Sequence, residues 1–232
     1  MGKRHKANPD MRAHVEMPGW WFPVLAAAFL SSGLPAVGEG TSLFSTFGPG
    51  QSFSSNGAGI VGTNVLGLHY SAIAEQFEVS QAANLSSVQV ALNWNQGTNA
   101  LVVRVALDNA GLPGAVLESF RVSATHGFPG TVVTANSTLN PLLASGLTYW
   151  LEVLPGDPTT YGDWFSRDPF PNSGSVHLAI DTGAGWGISS TGSGPQAFEI
   201  SGVVVPEPGS AILLGLGLLA IPAIKRLTPV DR

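Results

Sequence analysis

The residues best suited to chemistry lie in one polar stretch, Asp157-Pro158-Thr159-Thr160-Tyr161-Gly162-Asp163-Trp164-Phe165-Ser166-Arg167-Asp168. Asp157, Asp163 and Asp168, with neighbouring carbonyls, are the kind of oxygen ligands that Ca²⁺ takes. Tyr161 and Trp164 offer flat aromatic faces of the sort that stack on a sugar ring. The same stretch also reads as plain structure. Asp157 and Asp168 precede prolines, which is turn chemistry, and the aromatics would then cover a sheet edge. A Ca²⁺ ion in this loop is the one cofactor that the sequence suggests.

Elsewhere the chemistry is sparse. The chain has no Gly-x-Ser-x-Gly, no His-Glu-x-x-His and no phosphate-binding glycine loop. His69, His126 and His177 stand without a second histidine or an acid at ligand spacing. The acids are scattered, so a glycosidase pair could arise only by convergence in space. There is no cysteine, hence no disulfide and no thiolate chemistry. These features predict a non-catalytic protein, with a carbohydrate- or calcium-binding adhesion module as the alternative and a secreted hydrolase behind it.

The elements that must position these residues read as short strands. Ala74 to Val79, Val88 to Trp94 and Leu101 to Leu107 all alternate with period two, which puts one set of side chains on a core face. Asn95 to Asn99 predicts a hairpin turn between the last two runs. Asp108-Asn109-Ala110-Gly111-Leu112-Pro113-Gly114 is a stronger turn signal. Val116–Val122, Thr131–Val133, Leu147–Val153, Val176–Ile180 and Gln196–Val204 follow as strands, with Leu147, Tyr149, Leu151 and Val153 on one face. Pro155 to Pro171 reads as a long acidic, aromatic loop. Trp94, Trp150 and Trp186 are expected in core or edge packing. Residues 39–67, rich in Gly, Ser and Asn, read as a loosely structured arm whose phenylalanines rest on the sheet. The fold predicted for residues 68–205 is an all-β, antiparallel, jelly-roll-like β-sandwich.

Both ends of the chain differ from this middle. Met1-Gly2-Lys3-Arg4-His5-Lys6, followed by the apolar Trp20 to Leu30, has the layout of a secretory signal peptide over residues 1–38. Ala36-Val37-Gly38 supplies the small residues of a cleavage site, and an uncleaved anchor helix is the alternative. Residues 209–224 are uncharged and apolar, roughly 24 Å long as a helix, short for a hydrocarbon core of about 30 Å. Lys225 and Arg226 would close part of the gap by reaching the headgroups. Of ten Lys and Arg, only Arg104, Arg121 and Arg167 lie between Glu39 and Val205, against eleven acids, a formal charge of −8. Bases at both ends with an acidic middle fit export of the middle across a membrane. They disfavour nucleic acid, which needs clustered cations.

Pro206-Glu207-Pro208, the apolar run Ser210 to Ile224 and Lys225-Arg226, in this order, resemble the PEP-CTERM sorting signal of bacterial exported proteins. The resemblance, over residues 206–232, implies the export machinery and an exosortase-type membrane transpeptidase as partners. It also implies a cell-surface or extracellular-matrix location, membrane anchoring through the C-terminal helix, and an extracellular polysaccharide setting. The turn at 108–114 and the stretch Leu142 to Val153, with Gly146-Leu147-Thr148-Tyr149-Trp150, resemble the choice-of-anchor type of β domain, which implies fold and context without an activity.

Overall fold

The computed structural model describes residues 40–168, 177–189 and 195–206. The expected signal helix at 1–38 and transmembrane helix at 209–224 lie outside the described residues. Among the described residues no helix is long and apolar enough to cross a membrane. What they form is two antiparallel sheets.

One sheet holds β1 (Thr41–Ser45), β2 (Phe53–Val61), β4 (Ala83–Gln96), β7 (Thr131–Asn136), β8 (Leu142–Leu143), β10 (Tyr161–Arg167) and β13 (Phe198–Val204). The other holds β3 (Ala72–Glu78), β5 (Leu101–Asn109), β6 (Leu112–Val122), β9 (Thr148–Pro155), β11 (Leu178–Asp181) and β12 (Trp186–Ser189), in the order β12-β11-β3-β9-β5-β6. The long β4 is the spine of the first sheet. It pairs with β13 and then β10 along one edge, and with β8 and then β7 along the other.

Period-two alternation turns one face of each sheet inward. Ile60, Val88, Val90, Leu92, Trp164, Phe198 and Ile200 of the first sheet meet Ile73, Phe77, Val103, Val105, Tyr149, Leu151 and Val153 of the second. This shared core makes the domain a β-sandwich. Its centre is aromatic: Phe198 lies 5.9 Å from Trp164 and 6.0 Å from Phe77, and Phe77 lies 5.6 Å from Tyr149, ring centre to ring centre. With no cysteine in the chain, burial of such side chains, worth about 1.5–3 kcal/mol each, carries the stability.

The turn at 108–114 forms a hairpin between β5 and β6. Ala110 and Gly111 are its two loop residues, with φ of 54° and 84°, and Asn109 pairs with Leu112. Positive φ at both positions matches the right-handed twist of the strands. Four expectations need correction. Asn95 to Asn99 is not a hairpin turn, because β4 and β5 belong to different sheets. Both edges of β4 are already taken, so the chain crosses the sandwich there. The arm at 39–67 contains β1 and β2. Gly57 serves close packing there: a Cβ on it would sit 2.8 Å from the Trp164 carbonyl of the neighbouring strand. The loop predicted at 155–171 contains β10, paired on both sides. Leu147 does not join the buried face of Tyr149, Leu151 and Val153; it precedes β9 and is exposed.

Candidate functional site

The five residues singled out as a ligand loop are distributed along and around β10. Gly162, Trp164 and Ser166 are buried, while Tyr161 and Asp163 lie on the other face. Trp164 is fully buried, and its Nε1–H donates to the Ala197 carbonyl at 3.1 Å. Its ring is packed in the core and has no face free for a sugar. Asp163 accepts from Asn95 Nδ2 at 2.8 Å, and its own N–H donates to Asn93 Oδ1. Burial first, and then Asp163, raise the phenol of Tyr161 above its usual range. Tyr161, Asp163, Asn93 and Asn95 therefore form one polar patch. Asp157 and Asp168 flank opposite ends of the strand. Asp157 accepts from the N–H and hydroxyl of Thr159, which is turn chemistry. Among the described residues no three His, Asp or Glu side chains group as a metal site.

A denser polar cluster lies on the outer face of the six-stranded sheet. Four strands separate its edges, β12 and β6, yet these edges come into contact. The sheet thus curls, and Trp186 of β12 and Leu112 of β6 pack over Trp150, Ala74, Ala106 and Ala179. Small alanines permit this curvature by leaving room on the concave side. Trp150 is fully buried there, although it faces away from the main core. Its Nε1–H donates to Asp108 Oδ1 at 2.8 Å, which also accepts from Gln76 Nε2 at 3.1 Å.

One step along β9 from Trp150, on the same face, is Glu152. Its cross-strand neighbours are Ala74 and Arg104. Arg104 Nη1 lies 3.7 Å from Glu152 Oε2, with the arginine partly exposed and the glutamate buried. Burial raises the Glu152 carboxyl to about 7, against the opposing pull of Arg104. Tyr70, in the connection from β2 to β3, lies within electrostatic reach of both, and of Asp181 at the end of β11. Burial first, then Asp181, raise its phenol. A cavity of about 230 Å³ opens at Tyr70, lined also by Gly62, Thr63, Gly156 and Asp157. Only Asp157 of the sequence-predicted set reaches this place. Tyr70 and Asp157 bring a phenol hydroxyl and a carboxylate to the cavity wall, hydrogen-bonding groups of the kind that suit a polyhydroxylated ligand.

Tyr70, Arg104, Glu152 and Asp181 were not singled out from the sequence. A faint signal existed. Arg104 is one of three cations in the acidic middle, and Glu152 interrupts an apolar run at an outward position. Which strands would align them was not legible.

The third feature is where the folded domain stops. β13 pairs with β4 up to Val204 opposite Ala83, and the Val205 N–H donates to the Ala82 carbonyl at 2.9 Å. Pro206 has no N–H to continue the ladder and is exposed. Glu207, Pro208, Lys225 and Arg226 lie outside the described residues. Comparison with the curated proteins found no match. Comparison with protein families matched residues 204–226 to the PEP-CTERM protein-sorting motif. The match begins on the last residue of β13, with no linker between sandwich and signal. That motif implies export and sorting to the cell surface through exosortase-type machinery. The chain is a β-sandwich that carries a PEP-CTERM sorting motif directly on its last strand.

Proposed function

We propose that this is a non-catalytic β-sandwich of the bacterial cell surface or extracellular matrix. A signal peptide at 1–38 exports it, the apolar helix at 209–224 holds it in the membrane, and an exosortase-type transpeptidase processes the tail. The choice-of-anchor likeness and an exopolysaccharide setting belong to the same reading. The sorting motif at 204–226 carries it. The acids of the domain support the non-catalytic part. Glu118 and Asp108 are engaged in several hydrogen bonds each, and Asp157 and Asp163 in turn and cross-strand contacts. The test is the intact mass of the protein from envelope and medium of a host that has an exosortase. A species starting near Glu39 and ending near Pro206 to Pro208 is expected. A species that stays soluble in the periplasm and still ends at Arg232 would sink the sorting reading.

The cavity at Tyr70 favours a second reading, a carbohydrate-binding adhesion module whose ligand lies against Tyr70 and Asp157. Calcium in such a module is part of that reading, with Asp157 at the cavity wall. Glycan arrays followed by calorimetry would test it. Tyr70→Ala should abolish binding with the fold intact, whereas unchanged binding would rule out this cavity. Trp164→Ala is the wrong probe for either reading, since loss of a buried tryptophan costs about 3–5 kcal/mol of stability.

A further inference from the structure

The end of the sandwich from which the sorting motif departs exposes several large apolar side chains, beside the polar Glu78, Gln81 and Asn84. Val204 pairs with Ala83, Leu143 with Ala83 and Leu142 with Asn84. Ser145 Oγ donates to the Ser80 carbonyl at 2.8 Å, and the Gly146 N–H to the Val79 carbonyl at 3.0 Å. These pairings gather the β3–β4 connection, the β8–β9 connection and the end of β13 at one pole. Leu142 and Leu147 there are 57% and 51% exposed, and Leu139, on the loop entering β8, is 68% exposed. Val203, Val204 and Val205 add partly exposed side chains. The three arginines of the described residues sit elsewhere, in the body of the sheets: Arg104 opposite Glu152, Arg121 opposite Val102 and Arg167 opposite Phe53.

Three residues, Glu207 to Gly209, separate Pro206 from the apolar run that starts at Ser210. Fully extended they span at most about 11 Å. The headgroup layer on each side of a bilayer is roughly 5–8 Å thick. A sandwich tied on so short a tether therefore keeps this pole at the membrane surface.

We propose that this pole docks on the lipid bilayer while the tail is in place. Leu139, Leu142 and Leu147 insert among the headgroups, as the apolar face of an interfacial helix does. The contact is apolar. Among the described residues no cation at this pole asks for anionic lipid, so neutral phosphatidylcholine suffices and salt has little effect. Docking would hold the Pro206-Glu207-Pro208 segment in a fixed orientation at the membrane surface, where a membrane transpeptidase works. This inference rests on the anchoring part of the reading above.

The absence of cysteine makes the test clean, because one introduced thiol is the only one. The full chain is placed in phosphatidylcholine nanodiscs, with a nitroxide on a single cysteine at Leu142, Leu147, Leu66 or Leu216. Leu66 is 97% exposed on the connection from β2 to β3, at the opposite pole, and Leu216 lies within the apolar run. Relaxation by lipid-soluble oxygen is compared with relaxation by a water-soluble nickel complex. The oxygen-to-nickel ratio should be at least about threefold higher at 142 and 147 than at 66, as for interfacial side chains. Ratios at 142 and 147 equal to that at 66, with 216 in lipid, overturn docking and leave the anchor standing. A water-exposed label at 216 overturns the anchor and docking with it. Close approach of the 142 labels of two copies, with neither reagent reaching them, overturns lipid docking in favour of self-association.

Discussion

Glu118 and Glu152 are both buried carboxyls on strands of the same sheet, 4% and 2% exposed, yet their affinities for protons move in opposite directions. Burial pushes both upward. At Glu118 that push is outweighed by hydrogen bonds from the Ser137 hydroxyl, the Thr138 N–H and hydroxyl, and the Leu139 N–H, and the carboxyl ends below its usual range. At Glu152 the counterweight is one guanidinium at 3.7 Å on a partly exposed arginine, and the carboxyl ends near 7. Glu75, facing the interior from β3, is the extreme case. Burial raises it far above its usual range, against a single hydrogen bond from the Gln196 N–H. Burial alone does not decide the charge of an acid; the number of donors turned toward it does. Glu118 ties the β7–β8 loop of one sheet to β6 of the other. Among the described residues Glu152 is held by a single charged partner, Arg104.

The sharpest way to break this comparison is to remove the pinned acid. Glu118→Ala would leave two N–H groups and two hydroxyls without their acceptor, at about 3 kcal/mol, and urea unfolding would show it. A loss under 0.5 kcal/mol would mean that the loop finds other partners. The next effect has the opposite sign. Glu75→Gln keeps an acceptor for the Gln196 N–H and removes a charge that the interior opposes. It should raise stability at pH 8 by about 1 kcal/mol or more and do little at pH 4. A loss at pH 8 would contradict the burial argument.

The pH dependence follows from the same signs. The folded state holds the Glu152 proton more tightly than the unfolded chain. Its contribution to stability is full below the unfolded pKa, about 4.3, and is lost as pH rises to about 7. Glu118 and Asp108, both lowered, act the other way: their contribution is full above the unfolded pKa and is lost as pH falls through the folded value. Glu152→Gln should therefore flatten the decline between pH 4.5 and 7, by about 1 kcal/mol because solvent reaches Arg104. The acid side of the profile should not change. Chemical denaturation at four or five pH values measures both arms. The smallest effect belongs to the polar patch on the other sheet. Asp163→Asn keeps an acceptor for Asn95 Nδ2 and should stay within about 0.5 kcal/mol of the parent.

Several elements could be read in the linear chain for a local reason. The alternation at 101–107 predicts β5, and the turn chemistry at 108–114 predicts the hairpin, because neighbours in sequence make those contacts. The acidic, aromatic stretch at 155–171 misled, since the mix of polar and aromatic residues on β10 resembles a loop in one dimension. The candidate site was illegible for a related reason. Tyr70, Arg104, Glu152 and Asp181 are far apart in sequence, and only the order β11-β3-β9-β5 brings their strands side by side. Small residues at 72, 74, 106 and 179 carry no signal of their own until the sheet curls over them.

What the sequence determined by itself is therefore the strand composition, the tight β5–β6 turn and the sorting motif at 204–226, all of them local patterns. Which sheet each strand joined, which acids were satisfied and which apolar pole surrounds the departing tail were decided by tertiary structure. Those outcomes depend on contacts between residues 150 and more positions apart, such as Thr46 with Gln196 and Thr41 with Gly202, and long-range pairing leaves no trace in local periodicity.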